Sequence, residues 1–320
     1  MKMNIKKILE KLLTLRMVEE EISKRYVEQE MRCPIHLSIG QEACAVGICE
    51  NLTNKDQVYS THRCHSHYLA KGGNLNAMIA EMYGKSTGCC GGRGGSMHLM
   101  DHKVGMMMSL PIVSSIIPVA VGAAMALKFK KKRNITVVFI GDASLEEGVF
   151  HESANFASLH NIPILFVCEN NRFSCFTRIE DRQPSEDFTR LARCHRIDSL
   201  RINGNDVLNV IKESRKIICD MKKKKGPFFL QLDTYRLLEH CGPNNDDYLN
   251  YRKKKEILFW KNNEPVEKFL KYLKNKDKIK QLEIEKIYIK IRNKINIAFL
   301  EAKSAEFPSF KSLNKSVYAK

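Results

Sequence analysis

Two apolar, mainly β-branched runs lie near the middle of the chain and are separated by an amphipathic stretch. The first run covers residues 134–140, and the second covers residues 164–168. Between them, apolar and small residues recur at helical spacing over residues 150–159. Continuous apolar runs are typical of buried parallel strands, and the connection is long enough for a helix. The pattern therefore predicts a βαβ unit.

Oxygen-bearing side chains follow both predicted strands. Asp142 comes just after the first strand, and Asn171 comes after the second. Because ligands of an open parallel sheet bind outside the carboxyl ends of its strands, these side chains can meet at one point. A carboxylate and an amide suit Mg²⁺, and a helix start after Asp142 would offer N–H groups to an anion. A Mg-bridged phosphate ligand and an ordinary βαβ unit with an aspartate N-cap explain these residues equally well.

Residues 141–171 resemble the thiamine diphosphate motif, which begins with Gly-Asp-Gly and ends with Asn-Asn. The flanking residues resemble the alpha subunit of the decarboxylating first component of 2-oxo acid dehydrogenase complexes, a family that includes pyruvate, branched-chain and acetoin dehydrogenases. The residues that carry this resemblance are Glu147-Gly148, Glu152, Asn155, Pro163 and residues 168–173. The resemblance implies that Asp142 and Asn171 bind Mg²⁺ through their side chains and Phe173 through its carbonyl.

One position of the motif departs from the family. Ala143 stands where the family has its second glycine, and it is followed by Ser144. By resemblance, both residues would line the cofactor. The methyl group of Ala143 would face the diphosphate if the backbone there requires close approach or a positive φ.

Histidine and arginine residues earlier in the chain match the family's cofactor site. His36 precedes Gly-Gln-Glu-Ala and matches the histidine that approaches the cofactor. His62 and Arg63 stand where the family has Tyr-Arg, and Arg63 is the strongest candidate for a diphosphate contact because guanidinium groups bind phosphate oxygens through two parallel hydrogen bonds. His65 matches a histidine near the reaction centre, and the resemblance implies a catalytic role for it. Without the resemblance, a structural histidine and a solvated histidine-rich turn explain these residues.

Two segments between these motifs also match the family. Residues 94–98 reproduce its Gly-Gly-Ser-Met-His signature within a glycine-dense run, which is also typical of a plain linker. By resemblance, Val113 would hold the cofactor in its bent shape, and Pro111 would lie near the aminopyrimidine. Ser114 stands where the family often has glycine.

The end of the last predicted strand, residues 226–232, leads into a further candidate. His240 matches the family's histidine beside the thiazolium, where its near-neutral pKa suits proton transfer. The family usually has His-Gly-His-Ser there, whereas this chain has Leu238, Glu239 and, after the histidine, Cys241. The altered loop leaves the substrate open, and the missing serine removes the residue that is phosphorylated in mitochondrial members.

The composition argues against several other classes of protein. The net charge is +17, but the lysine runs are scattered, and neither zinc-finger spacing nor an aromatic-interleaved basic pattern accompanies them. We therefore expect no nucleic acid partner. Eleven cysteines without a CxxC pair, among them the adjacent Cys89-Cys90, fit reduced thiols in the cytoplasm. No apolar run reaches membrane-spanning length and no signal peptide is visible, so we expect no membrane contact.

The chain is long enough for one large domain. We predict an α/β thiamine diphosphate-binding fold, with a mostly parallel sheet and helices on both faces, over residues 1–250. An amphipathic helix is expected over residues 4–30. Residues 251–320 are lysine-rich, with apolar residues every four positions from Ile287, and are predicted to form a helical extension that packs on the domain or on a partner.

The resemblance implies decarboxylation of a 2-oxo acid with thiamine diphosphate and Mg²⁺, and transfer of the acyl group to a lipoyl-bearing acyltransferase component. In this family a separate beta subunit supplies the glutamate that activates the aminopyrimidine, so the active site should form at an interface in an α₂β₂ heterotetramer. The altered loop at 237–242 leaves open an acetoin dehydrogenase or another thiamine diphosphate-dependent enzyme that cleaves or joins C–C bonds. Ala143 leaves open a non-catalytic, partner-binding subunit.

Overall fold

A computed structural model describes residues 4–31, 33–224 and 226–312. In chain order the strands are β1 (Gln57–Ser60), β2 (Met106–Ser109), β3 (Thr136–Gly141), β4 (Ile164–Asn170), β5 (Phe173–Ser174), β6 (Thr177–Arg178), β7 (Asp198–Asn203) and β8 (Phe228–Asp233). The helices are α1 (Ile5–Tyr26), α2 (Glu42–Cys49), α3 (His65–Lys71), α4 (Leu75–Met82), α5 (Ile116–Phe129), α6 (Gly148–Leu159), α7 (Thr189–Cys194), α8 (Val207–Lys224), α9 (Lys254–Asn262), α10 (Pro265–Asn275) and α11 (Gln281–Ser304).

Six of the strands form one sheet in the order β2-β1-β3-β4-β8-β7, and each neighbouring pair within it is parallel. β5 and β6 form a separate short antiparallel hairpin. The two strands of the predicted βαβ unit, β3 and β4, lie side by side at the middle of the sheet, with Gly141 in register with Glu169. Asp142 and Asn171 therefore leave the sheet at the same edge, as the sequence predicted.

Alternate residues of the central strands are buried on opposite faces of the sheet. Val137 and Phe139 belong to one apolar core with α1–α4, α8, α10 and α11, whereas Val138 and Ile140 belong to a second core with α5, α6 and α7. All four side chains are fully buried, and each burial contributes roughly 1.5–3 kcal/mol. The prediction of an α/β fold with helices on both faces is confirmed.

The two longest helices are amphipathic and pack against each other. α1 begins after Asn4, whose side-chain oxygen accepts a hydrogen bond from the Lys7 N–H at 3.1 Å. It ends at Tyr26 rather than near residue 30, because the backbone turns at Gln29 with φ +60°. Within the part of the chain that the structure describes, no helix combines the length and the apolar character of a membrane span.

The C-terminal helices continue the first core. Four residues of α11 at four-residue spacing (Ile287, Ile291, Ile295 and Phe299) are buried in the same cluster as the apolar face of α1. The predicted boundary at residue 250 stays a prediction. Residues 1–3 of the predicted domain and residues 313–320 of the predicted extension lie outside the described residues.

Candidate active site

A cavity of about 200 Å³ opens at the carboxyl ends of the central strands. It brings together residues that are far apart in the sequence but that the resemblance assigned to one cofactor. The predicted residues that line it are His36, His62, Arg63, Pro111, Val113, Asp142, Ala143, Ser144, Asn171, Phe173 and His240. His65 is the one member of the predicted set that does not line the cavity.

The predicted metal ligand Asp142 is buried at the end of β3 and is paired with Arg182. Arg182 comes from the loop before α7 and also pairs with Glu146. Burial raises the pKa of Asp142, and the guanidinium group of Arg182 opposes that shift. A cation is therefore already beside this carboxylate, and a metal ion at Asp142 would take the place of Arg182.

The chain does not enter an α-helix directly after Asp142. Residues 142–146 form a 3₁₀ turn, and Glu147 is extended (φ −81°, ψ 136°), so α6 begins only at Gly148. The hydroxyl group of Ser114 donates to the carbonyl of Ser144 at 2.8 Å and fixes this turn. The predicted helix start after Asp142 is thus a short 3₁₀ helix rather than the first turn of α6.

The second predicted metal ligand, Asn171, lies where the chain reverses after β4. Its side-chain oxygen accepts a hydrogen bond from the Phe173 N–H at 3.2 Å, and its amide donates to the Gln41 side chain at 3.4 Å. Arg172, between Asn171 and Phe173, has a φ of +75°, which directs the chain into the β5–β6 hairpin. Asn171 and the backbone of Phe173 are thereby held together at the cavity.

Three histidines form a cluster on the other side of the cavity. The ring centroids of His36, His62 and His240 lie 4.6, 5.3 and 5.4 Å apart. The Gly242 N–H donates to the Ile35 carbonyl at 2.9 Å, which ties the segment of His240 to that of His36. Burial, assisted by the charge of Arg63, lowers the pKa of the three rings to about 2, 3 and 4, respectively. All three rings are neutral at neutral pH.

Arg63 is buried beside this cluster. Its guanidinium group donates to the carbonyl of Leu37 at 2.5 Å and to the carbonyl of His240 at 3.1 Å. Burial, together with the nearby Arg236, lowers its pKa to about 10, so it remains charged at neutral pH. A guanidinium group has five N–H donors, and two bonds to carbonyls leave donors for a ligand.

Unpaired polar atoms indicate what the cavity binds. Among the described residues, the Nδ1 atom of His36 and the Nε2 atom of Gln41 are buried without a hydrogen-bond partner. A buried donor or acceptor left unsatisfied costs about 1–3 kcal/mol. Both residues line the cavity together with Arg63. An anion with several acceptor oxygens fits this set, and the oxygens of Asp142, Asn171 and Phe173 fit Mg²⁺ beside it.

His65 lies outside the cavity because it opens α3 and is directed toward α1. Its Nδ1 lies 3.0 Å from a carboxylate oxygen of Glu19, and its Nε2 lies 2.7 Å from the hydroxyl oxygen of Ser96. Both ring nitrogens are occupied and the side chain is fully buried. This placement argues against the direct catalytic contact expected for His65 and instead indicates a link between α1 and the glycine-rich loop.

Two buried glutamates were not predicted as site residues. The first, Glu169, is the last residue but one of β4 and lines the cavity. The Nε2 atom of His67 lies 3.1 Å from a carboxylate oxygen of Glu169, and its Nδ1 atom lies 2.7 Å from the hydroxyl oxygen of Ser60. The His67 ring also stacks on Phe139, with the ring centroids 3.8 Å apart. A charged residue directly after the apolar run 164–168 was the signal in the sequence that marked this position.

The second is Glu81, near the end of α4, whose carboxylate organises the glycine-rich loop. One oxygen accepts hydrogen bonds from the backbone N–H groups of Cys90 and Gly92 at 2.7 and 2.9 Å, and the other from those of Gly94 and Gly95 at 2.6 and 3.3 Å. The glycine-rich segment is therefore not a plain linker. A lone glutamate among apolar residues 78–82 was the available signal.

The comparison with known proteins agrees with this arrangement. Residues 10–311 match the dehydrogenase E1 component family, and the chain belongs to this family, whose members use thiamine diphosphate. The alpha subunit of acetoin:2,6-dichlorophenolindophenol oxidoreductase from Bacillus subtilis (strain 168) is 32% identical over 310 residues, which cover 97% of this chain and 92% of that protein.

Pyruvate dehydrogenase subunits are similar to nearly the same extent. The mitochondrial E1 component subunit alpha, somatic form, from Homo sapiens is 29% identical over 307 residues (96% of this chain and 77% of that protein). The chloroplastic subunit alpha-3 from Arabidopsis thaliana is 29% identical over 316 residues (97% and 73%). The predicted resemblance to alpha subunits of 2-oxo acid dehydrogenases is confirmed.

Proposed function

We propose that this chain is a catalytic alpha subunit that binds thiamine diphosphate through Mg²⁺ and decarboxylates a 2-oxo acid. The observation that carries the proposal is the convergence of distant segments on one cavity, which combines the unpaired polar atoms of His36 and Gln41 with the oxygens of Asp142, Asn171 and Phe173. When bound, the cofactor supplies the electron sink for decarboxylation. The protein contributes binding, orientation and charge.

The oxygen-bearing side of the cavity would hold the metal ion. Asp142 and Asn171 would bind it through their side chains, and Phe173 through its carbonyl. Asp142 is free for this only when Arg182 leaves it, because the two are paired. Loading therefore exchanges one cation for another at the same carboxylate, and Arg182 keeps Glu146 as its partner.

The basic and amide side chains of the cavity would bind the diphosphate and serve proton transfer. Arg63, His36 and Gln41 would donate to phosphate oxygens, and His62 would replace the family's tyrosine as a further donor. His240 lines the same cavity and is neutral at neutral pH. It would therefore accept a proton at the reaction centre and return it.

A partner subunit would complete the site. Val113, which lines the cavity, is 48% exposed, and its neighbour Ile112 is 69% exposed, which leaves apolar surface beside the cavity open to solvent. We propose that a beta subunit covers this surface, supplies the activating glutamate and forms an α₂β₂ heterotetramer, and that a lipoyl-bearing acyltransferase takes the acyl group. A cytoplasmic location stays a prediction.

Acetoin is the second candidate substrate, because an acetoin oxidoreductase subunit reaches 32% identity over nearly the full chain. Co-expression with a candidate beta chain, followed by dye-reduction assays with pyruvate, branched-chain 2-oxo acids and acetoin, separates the two. Turnover of acetoin alone would replace the 2-oxo acid proposal.

Calorimetric titration of thiamine diphosphate with Mg²⁺ into the co-expressed complex tests the site itself. Asp142→Asn should weaken Mg-dependent binding by about tenfold or more, a loss typical of damaged metal sites. Asp220→Asn, at an exposed carboxylate of α8, is the matched control and should bind as the unchanged chain does. Equal binding by both variants would contradict the assignment of Asp142.

A further inference from the structure

Two adjacent cysteines in the glycine-rich loop place their sulfur atoms side by side. The Sγ atoms of Cys89 and Cys90 are 3.9 Å apart, and both residues are half-buried. Neighbouring side chains of an extended chain point to opposite faces, so this contact requires a turn. Gly91 and Gly92, with φ of +68° and +76°, continue that turn. The sulfurs need to approach by only about 1.9 Å to reach disulfide distance.

The two sulfur atoms have different properties. The hydrogen-bond contact between the two thiols lowers the pKa of Cys89, and Tyr68 adds to this effect. The pKa of Cys90 is raised, chiefly by the same interaction with Cys89. In disulfide formation, one cysteine attacks the oxidant as a thiolate, and the second cysteine then attacks the oxidised sulfur of the first. The pair thus combines a nucleophilic sulfur with a resolving sulfur at contact distance.

We propose that Cys89 and Cys90 form a reactive vicinal dithiol that closes to a disulfide with hydrogen peroxide and binds trivalent arsenicals. The Cys89 thiolate attacks one peroxide oxygen, so that an S–O bond forms, the O–O bond breaks and one water leaves. The Cys90 sulfur then attacks the oxidised Cys89 sulfur, the S–S bond forms and a second water leaves. The two sulfurs lose two electrons, which reduce the peroxide, and the two thiol protons end in the waters.

Closure of this pair would disturb the loop that reaches the cofactor cavity. The Cys90 thiol lies 2.8 Å from the carbonyl of His98, and its backbone N–H donates to Glu81. Oxidation removes the thiol hydrogen and draws the Cys90 sulfur toward Cys89. Met97, next to His98, lines the cavity. The oxidised loop should therefore bind the cofactor less well than the reduced loop.

Mass spectrometry of the full chain tests the proposal without relying on activity. Trypsin releases residues 86–93, which contain Cys89 and Cys90 but none of the other cysteines. After peroxide treatment this peptide should be lighter by two hydrogen atoms, resist alkylation and return to its original mass with dithiothreitol. Cys175→Ser, at an exposed thiol elsewhere in the chain, should leave this behaviour unchanged.

A second arm uses phenylarsine oxide, which requires two neighbouring thiols. The reduced chain should take up the arsenical on peptide 86–93, and both Cys90→Ser and Cys90→Ala should abolish that uptake while retaining the thermal unfolding of the unchanged chain. Oxygen addition to the peptide in place of hydrogen loss would overturn the proposal. So would arsenical uptake on this peptide that persists in either folded variant.

Discussion

The carboxylate of Glu81 provides the sharpest test of how the glycine-rich loop is held. Glu81→Gln keeps the size of the side chain but replaces one acceptor oxygen with an NH₂ group, which then faces two backbone N–H donors. Hydrogen bonds to a charged group contribute about 1.5–3 kcal/mol each, and the loss of two corresponds to at least about 3 kcal/mol. The smaller cost of burying an amide offsets part of this loss, so we expect the free energy of unfolding to fall by about 2–4 kcal/mol.

Urea unfolding followed by circular dichroism measures this change, and hydrogen exchange of residues 88–96 shows whether it is local. The matched control is Glu285→Gln on the exposed face of α11, where we expect a change within about 0.5 kcal/mol. Exchange in the loop should accelerate in the Glu81 variant alone. A loss below about 1 kcal/mol with unchanged exchange would refute the view that this carboxylate organises the loop.

Three further predictions concern the single residues Ser114, His36 and Ala143. Ser114 has a φ of +64°, and its hydroxyl group donates to the Ser144 carbonyl. Ser114→Ala keeps the left-handed strain and loses the hydrogen bond, so it should lower the free energy of unfolding by about 1 kcal/mol, whereas in Ser114→Gly the relief of strain offsets the lost bond. Equal losses of the two variants in urea unfolding would contradict this. Burial holds the pKa of His36 in the folded chain at about 2, against an ordinary value of 6.5. The unfolded chain therefore takes up this proton first, and the free energy of unfolding falls below about pH 6.5 by up to about 1.4 kcal/mol per pH unit. His36→Gln should make the free energy of unfolding less dependent on pH in this range, and an unchanged dependence would show that His36 does not contribute. Ala143→Gly should tighten cofactor binding if the methyl group obstructs the diphosphate, which calorimetry measures, and weaker or equal affinity would show that it does not.

The sequence was most informative where an element is determined by its own residues. The runs that became β3 and β4 are mostly apolar and buried on both sides, so their type and their polar ends were predictable. The edge strands β2 and β7 were not predicted. β7 has only half-buried and exposed positions, and its mixed polarity carries little strand signal.

Contacts between distant segments account for what the sequence could not supply at the site. The pairing of Asp142 with Arg182 depends on how the loop before α7 folds back over the turn. The withdrawal of His65 depends on Glu19, which faces inward from α1. Neither partner is recognisable from local spacing, because each is one of many charged residues in the chain. The matched motifs predicted which residues meet at the cavity but not which of them are occupied by other partners.

The departures from the family's motif are local in effect, and this bears on whether the chain is catalytic. Ala143 lies outside the left-handed φ region, so its backbone does not require glycine, and only its half-buried methyl group could hinder a ligand. The unpaired atoms of His36 and Gln41 each cost about 1–3 kcal/mol when nothing binds them. A subunit that served only as a scaffold would gain stability from apolar residues at both positions. Their presence beside a charged Arg63 is therefore better explained by an anionic ligand that returns this energy when it binds.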